Sequence, residues 1–480
     1  MHLAFLSPAF GSVVDTDHPI AEPVAALAKA LVAQGHTVRA VLPMLEGVDP
    51  LALGLARRLR PVEVRLGDRE ERLVVYEGRT PGGIDLTVLD HEEMLREAPT
   101  LTAGDPATRT RRTALFAEAA LRWTEQAEQN FDVVHVHGIL GAAVARIASE
   151  RDVAWLWTLY GVDEGRFGPP LAPVGADVRE AELVVEAMGR VPQLVVPSRA
   201  FLAALRQGRM GPAVATALDE RGPAVLAIEG GLDEATWNPS TDPLLEFHFD
   251  PVDLRGKWRG RAALQRRLRL EVRADVPLLH ADVTDDVVAE RLATAMPTAM
   301  HNELQIVLTL DADLGAPVRE ALDRLAERFE ERIRLLPSRD ARTLHRCLAA
   351  ADLCLLAQPR ATEPSAALAA LRYGALPLAP RGTAFEDVLV DCDAALRTGT
   401  GFLYDPDEPG EPGQVVQRAT AAWHRRAAFE QLQRRVMRRD VSWSRAASRY
   451  LRVYDQLAAA RDGGAAGTSG PRPALETPPA

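Results

Sequence analysis

Leu3 to Pro8 reads LAFLSP and Leu27 to Pro43 reads LAKALVAQGHTVRAVLP, and these two stretches decide the fold. The first is a short apolar run closed by Ser7 and Pro8. The second contains the end of an Ala- and Leu-rich helical stretch, then Gly35 where a helix takes a left-handed cap, then a β-rich run that follows at once. Strand, helix from about Ala21 to Gln34, strand is the βαβ unit of a parallel sheet.

Further along, FDVVHVHG (131–138), VAWLWTLYG (153–161), PQLVVPS (192–198) and AVLAIEGG (224–231) are short, apolar and closed by Gly, Pro or Ser, as buried parallel strands are. A second series opens after the Pro- and Asp-containing stretch from Asn238 to Asp253: VPLLHADV (276–283), LQIVLTLDA (304–312), RIRLLPS (332–338), DLCLLAQ (352–358) and ALPLAP (375–380). The expectation is α/β throughout, with two doubly wound, Rossmann-like domains in tandem. Ligands of such sheets bind outside the carboxyl ends of the strands, so a two-lobed chain is expected to place its site in the cleft between lobes.

The chain has 480 residues and is 47% hydrophobic, too long for one core and apolar enough for two. A net charge of -11 with interspersed signs argues against a nucleic-acid or anionic-membrane surface. Cys347, Cys354 and Cys392 show neither zinc spacing nor a disulfide count, which points to a reducing cytoplasm. The opening MHLAFLSPAF has no basic leader region and reads as a first strand, and no apolar run is long enough to span a membrane. Trp443, Tyr450, Leu451, Tyr454 and Leu457 recur at helical spacing and read as a core stripe; the Gly- and Pro-rich end beyond Arg461 reads as disordered.

Three stretches resemble the bacterial glycogen synthases and plant starch synthases. They are the opening unit with LAKALVAQGHTVRAVLP, the interdomain GGLDEATWNPSTDP (230–243) with RGKWRGRAALQRRLRL (255–270), and the carboxyl end with ALRYGALPL (370–378), TGTGFLYDP (398–406) and DVSWSRAASRYLRVY (440–454). Trp237, Asn238, Pro239, Asp242 and Pro243 recur in the family's order. The resemblance implies the GT-B scaffold. Residues 1–240 would form an acceptor-side domain and 241–435 a nucleotide-side domain, with 436–460 a helix crossing back to the first and 461–480 a disordered tail. It implies transfer of glucose from ADP-glucose to an α-1,4-glucan with retention, with no cofactor and no metal. A diphosphate leaving group then needs cations or amide dipoles.

Measured against those implied motifs, the ligand positions diverge. The family's Lys-x-Gly-Gly loop falls on Thr16, Asp17, His18 and Pro19, which removes a cation and an amide donor. Its His-x-His-Asp reads His135, Val136, His137, Gly138, with His137 the candidate on the sugar or acceptor side, and the next histidine falls on Tyr160. The asparagine of Asn-Gly-Ile-Asp falls on Gly230. The Arg and Lys expected to face the diphosphate are replaced in HADVTDDVVAE (280–290) by Asp282, Asp285 and Asp286. Unit charges a few ångströms apart in a partly screened cleft interact by about 4 kcal/mol, so this reversal should oppose a diphosphate. The Gly-rich turn reads Thr309, Leu310, Asp311, Ala312.

For the catalytic glutamate of Glu-Pro-Cys-Gly-Leu, ungapped counting gives Ala361, while Glu363 and Pro364 preserve the dipeptide two residues later. Arg381, Gly382 and Thr383 overlap the family's phosphate loop. Arg342, Arg346 and Arg360 are other cation sources but read as solvated arginines.

Matches therefore cluster where packing dominates and losses where ligand chemistry lies. The expected function is a glycogen-synthase-like protein with impaired or lost glucosyl transfer that still binds a glucan, or a partner such as an active synthase or another glycogen enzyme. The alternative is an active retaining glucosyltransferase using ADP-glucose or another nucleotide sugar, with Glu363, Tyr160 and the Arg381 loop as substitutes.

Overall fold

The LAFLSP and HTVRAVLP runs form β1 (His2–Leu6) and β2 (Thr37–Pro43), paired in parallel with Leu3 opposite Val38 and joined by α1 (Ala21–Ala33). Gly35 ends that helix at φ +88°, the conformation only glycine adopts without strain. The structure, a computed structural model, describes residues 1–11, 13–15, 18–148, 153–161, 166–167, 178–337, 339–359, 361–408 and 410–464. It divides into two compact units, Met1–Gly230 together with the chain from Trp443 onward, and Gly231–Ser442.

In the first unit β3 (Ala56–Arg57), β4 (Val62–Leu66), β5 (Arg69–Arg79) and β6 (Asp85–Asp90) follow, then α2 (Pro106–Gln126), β7 (Val133–His137), α3 (Leu140–Ile147) and β8 (Trp155–Thr158). A two-residue ribbon, β9 (Arg166–Phe167) with β10 (Val178–Arg179), precedes α4 (Glu180–Met188), β11 (Gln193–Val196), α5 (Arg199–Arg206), α6 (Pro212–Arg221) and β12 (Val225–Ala227). The sheet order is β12-β11-β8-β7-β1-β2-β6-β5-β3, with β4 paired to β5. From β12 to β6 all pairs are parallel, as the strand runs imply.

The β3, β4 and β5 additions are antiparallel, which the parallel expectation did not include. Their residues alternate, with Val62 and Val64 buried and Glu63 and Arg65 exposed, because only one face of this edge is covered. The chain winds from β1 through β2 to β6 on one side and through β7, β8, β11 and β12 on the other. The topological switch therefore lies between β1 and β7.

The last helix, α15 (Trp443–Gly464), belongs to this first unit. The expected stripe is core: Tyr450 and Tyr454 are 3% and 0% exposed, and Tyr454 hydroxyl meets His135 Nδ1 at 2.8 Å. The helix runs to Gly464, past the expected start of a disordered tail at 461, and Arg461 Nη1 donates to the Phe131 and Asp132 carbonyls at 3.4 and 3.3 Å. Residues 465–480 lie outside the described residues.

The second unit has α7 (Arg255–Arg267), β13 (Leu278–Val283), α8 (Asp286–Ala299), β14 (Gln305–Leu310), α9 (Ala316–Arg328), β15 (Ile333–Leu336), α10 (Ala341–Ala350) and β16 (Leu353–Leu355). Then come α11 (Ser365–Arg372), β17 (Leu376–Pro380), α12 (Ala384–Val388), β18 (Phe402–Tyr404), α13 (Glu411–Trp423) and α14 (Arg426–Met437). Its sheet, β15-β14-β13-β16-β17-β18, is wholly parallel, with the switch between β13 and β16.

The Trp-Asn-Pro and Thr-Asp-Pro residues act here as a pin. Asp242, 1% exposed, accepts bonds from His345 Nδ1 at 2.7 Å and from the Tyr373 hydroxyl at 2.6 Å, and the Trp237 ring stacks on His345 at 4.0 Å. Burial, with the Asp242 carboxylate beside it, raises the Tyr373 hydroxyl well above its ordinary pKa. Residues distant in sequence are thereby joined by buried, charge-assisted bonds.

α7 crosses the starts of the strands. Lys257 Nζ donates to the Ala349 and Tyr373 carbonyls at 3.0 and 2.9 Å, Arg261 pairs with Asp352 at 2.7 Å, and Gln265 Nε2 donates to Gln305 Oε1 at 2.7 Å.

Candidate functional site

In the first unit the switch-point rule directs attention to the carboxyl end of β7. His137 is the last residue of that strand and Tyr160 follows the end of β8; Tyr160 hydroxyl lies 3.3 Å from His137 Nδ1. The structure thus brings these two candidates together. Both are buried, His137 fully. Burial pushes the His137 imidazole down to about 3, so it is neutral near pH 7, and its Nε2 meets no hydrogen-bond partner among the described residues.

His135, on the same face, stacks 3.9 Å from His137 and is bonded to Tyr454 and to Thr158 Oγ1 at 2.7 Å. The pair is packed and hydrogen-bonded, and the described residues contain no group of three or more His, Cys, Asp or Glu able to hold a metal. The turn after β7 depends on close packing: Gly138 sits at φ +63° and its carbonyl accepts from Trp157 Nε1 at 2.7 Å. His18 is half-buried and its Nδ1 accepts from the Ile20 amide at 3.3 Å; Thr16 and Asp17 lie outside the described residues.

In the second unit the carboxyl ends of β13, β14 and β15 converge on a cation that the spacing did not reveal. Arg339, three residues beyond β15, donates from Nε and Nη2 to the two Asp282 oxygens at 2.8 and 2.9 Å and from Nη1 to Asp311 at 2.7 Å. Thr309 Oγ1 donates to Asp282 at 2.8 Å, and His280 Nε2 lies 3.2 Å from Thr309 Oγ1. Bonds to both carboxylates raise Arg339 above its ordinary pKa, the Asp282 bond being the larger cause.

The three aspartates expected to face a ligand are all engaged by the fold. Asp282 holds Arg339, Asp285 caps α8 by accepting from Val288 N at 2.9 Å, and Asp286 accepts from Gly315 N at 2.8 Å. Asp282 is thus paired with a cation, while Asp285 and Asp286 are exposed carboxylates that accept backbone amides. Two carboxylates and one guanidinium leave the Asp282–Arg339–Asp311 cluster net negative, with Nε, Nη1 and Nη2 of Arg339 each donating to a carboxylate.

The candidate phosphate loop is occupied in the same manner. Gly382, at φ +68°, donates its amide to Glu386 Oε2 at 2.8 Å, and Arg381 pairs with Glu386 and with Asp391, each at 3.3 Å. Thr383 is 1% exposed and its hydroxyl donates to the Pro380 carbonyl at 2.8 Å. The Gly382 amide and the Arg381 guanidinium, both groups able to bind an anion, are thus bonded to a side-chain carboxylate of the same turn.

Glu363 is half-buried just before Pro364 and α11. Ala361, the ungapped counterpart of the catalytic glutamate, packs against the core, and its carbonyl accepts from Ala384 N at 2.9 Å, which joins its loop to the Arg381 loop. Arg346 is half-buried and donates to the Leu244 carbonyl at 3.1 Å, Arg342 is exposed, and Arg360 lies outside the described residues.

The family profile described as the starch synthase catalytic domain matches residues 20–155. The glycogen synthase of Bordetella bronchiseptica is 30% identical over 478 residues, covering 92% of this chain and 92% of that protein. Glycogen synthase 2 of Geobacter sulfurreducens is 26% identical over 473 residues, covering 92% of this chain and 96% of that protein. The catalytic domain of starch synthase IV from Arabidopsis thaliana, bound to ADP and acarbose, matches with a TM-score of 0.83 at 21% identity, over 96% of this chain and 99% of that one. The two doubly wound units are thus a GT-B arrangement of elements.

Proposed function

Since this chain belongs to the glycogen synthase and starch synthase family, we propose that it keeps the family's glycosyltransferase frame while its nucleotide side no longer accepts a sugar-nucleotide diphosphate, so that glucosyl transfer from ADP-glucose is lost or strongly impaired. One observation carries this reading. At the carboxyl ends of the second sheet, three donors suited to a diphosphate among the described residues are bonded to carboxylates of the chain itself: Arg339 to Asp282 and Asp311, Arg381 and the Gly382 amide to Glu386. A diphosphate would have to displace these bonds and approach the carboxylates that remain, which costs several kcal/mol before any affinity is gained.

An α-glucan remains the ligand class consistent with the family, and an active synthase or another glycogen enzyme the kind of protein partner. The test is incorporation of labelled glucose from ADP-glucose into glycogen by the full chain. Background counts are expected at any enzyme concentration that leaves the protein folded.

A second reading, an active retaining transferase, is favoured by one contact: the bond between Ala384 N and Ala361 O sets the loop carrying Glu363 beside the Arg381 loop. Turnover that disappears in Glu363→Gln and in Arg381→Ala would establish that reading and overturn the first.

A further inference from the structure

We propose that the strand-start edge of the Gly231–Ser442 unit is a self-complementary surface through which two copies of this chain pair. This edge lies opposite the carboxyl ends that hold the candidate site, and the proposal stands whether or not glucosyl transfer survives.

α7 crosses this edge with Lys257, Arg261 and Gln265 turned inward. Its outer face carries Trp258, 46% exposed, and the exposed Arg259, Arg266 and Arg267, none of which forms an ion pair among the described residues. The chain carries a net charge of -11, so a helix face with three uncompensated arginines around an exposed indole is out of keeping with its surface as a whole. Trp and Arg are also the residue types that anchor interfaces.

Beside this helix on the same edge lies an open groove of about 1030 Å³, which begins at Arg269, two residues past the end of α7. Its floor is the starts of β14 and β15, including Gln305 and Ile333, and its wall is the end of α9. Asp323, Glu327, Glu330 and Glu331 line its α9 side, all exposed and without ion pairs among the described residues, while the arginines of the lining lie on its other side, Arg273 paired with Glu303 and Arg332 and Arg334 donating to backbone carbonyls.

An isologous contact requires each surface to carry both halves of the match, so that a two-fold axis satisfies both at once. A basic, indole-bearing helix next to a groove whose α9 wall is acidic meets that requirement. A 13-residue helix is about 20 Å long, enough to lie along such a groove. The occupant fitted by this charge pattern is α7 of a second copy, set reciprocally.

Sedimentation equilibrium of the full chain tests this. The wild type is expected to dimerise, and more weakly as salt rises from about 50 to about 500 mM, because the contacts are charge pairs at a partly exposed surface. Arg259→Glu with Arg266→Glu, and separately Glu327→Arg with Glu330→Arg, should each raise the dimer dissociation constant by at least about 100-fold. Their unfolding curves should stay close to that of the wild type. Mixing the two variants should restore a dimer, since the one reversed helix then faces the one reversed groove and the unchanged helix the unchanged groove. A wild type that stays monomeric up to about 100 μM overturns the proposal, as does a dimer indifferent to salt and to both reversals. Variants that are monomeric alone and stay monomeric when mixed would also overturn it.

Discussion

Replacing Arg339 by Met keeps most of the side-chain volume and removes the cation at the centre of the Asp282–Asp311 cluster. Three charge-assisted bonds of 2.8, 2.9 and 2.7 Å are lost. Bonds to charged groups contribute about 1.5–3 kcal/mol each when isolated, but these share one guanidinium whose side chain is 30% exposed, so screening reduces their joint contribution to about 3 kcal/mol. For a unit of this size that corresponds to a fall of about 6–12 °C in its unfolding midpoint at pH 7.

The pH dependence follows from Asp311, whose carboxyl is held below its usual range first by the Asp313 amide and then by Arg339. A depressed carboxylate contributes stability that is present above its unfolded pKa and lost as pH falls through the folded value. Without Arg339 part of that contribution is absent at neutral pH, so the gap between variant and wild type should be full at pH 7 and narrow as Asp311 protonates below about pH 4. Thermal unfolding followed by circular dichroism from pH 7 to pH 3 reads both features. A midpoint at pH 7 within about 1 °C of wild type, or a gap that widens in acid, would refute the view that Arg339 is committed to the fold.

Other perturbations follow from single contacts. An added Cβ at Gly141 would lie 2.1 Å from the Trp157 ring, so Gly141→Ala should destabilise the first unit by about 1–3 kcal/mol in chemical unfolding, despite the better helix propensity of alanine. Tyr373→Phe leaves the buried Asp242 with one donor fewer and should cost about 1.5–3 kcal/mol, read as a lower denaturant midpoint at unchanged m-value. Burial brings Lys257 down to about 7, and because the unfolded chain then holds a proton that the folded one lacks, stability should rise from pH 7 toward pH 10. Lys257→Met should abolish that rise whatever its offset at pH 7. His137, brought down to about 3 by burial, works in the same direction: the first unit should lose stability as pH falls from about 6.5 toward 3, and His137→Asn should flatten that loss.

The alternation of apolar runs with helical stretches made the parallel sheets legible, since a strand buried on both faces must read as an uninterrupted apolar run. The β3–β5 edge was not legible in those terms, because Val62-Glu63-Val64-Arg65 alternates and satisfies only one face. Trp237, Asp242 and Tyr373 were legible as resemblance, but their shared contact with His345 is a matter of three-dimensional packing that no spacing encodes.

The donor-side differences that the resemblance implies could be counted along the chain, whereas the contacts made by the residues standing there could not. Arg339 meets Asp282 across 57 residues, and its pairing depends on β13 and β15 ending at the same level of the sheet. Asp285 could have been read as a cap, since it precedes the apolar Val287 and Val288 at the start of a helical stretch. Glu386 was also within reach of sequence reasoning: four residues after Gly382, on the first turn of α12, it returns to the loop amide.

Calorimetric titration of ADP into the full chain tests the central claim most directly, because ADP carries the diphosphate without requiring catalysis. The self-neutralised strand ends predict no heat of binding up to about millimolar ADP, which corresponds to less than about 4 kcal/mol of affinity. A saturable isotherm with a micromolar dissociation constant, weakened by Arg339→Met or Arg381→Ala, would contradict it and show those cations engaged with the nucleotide.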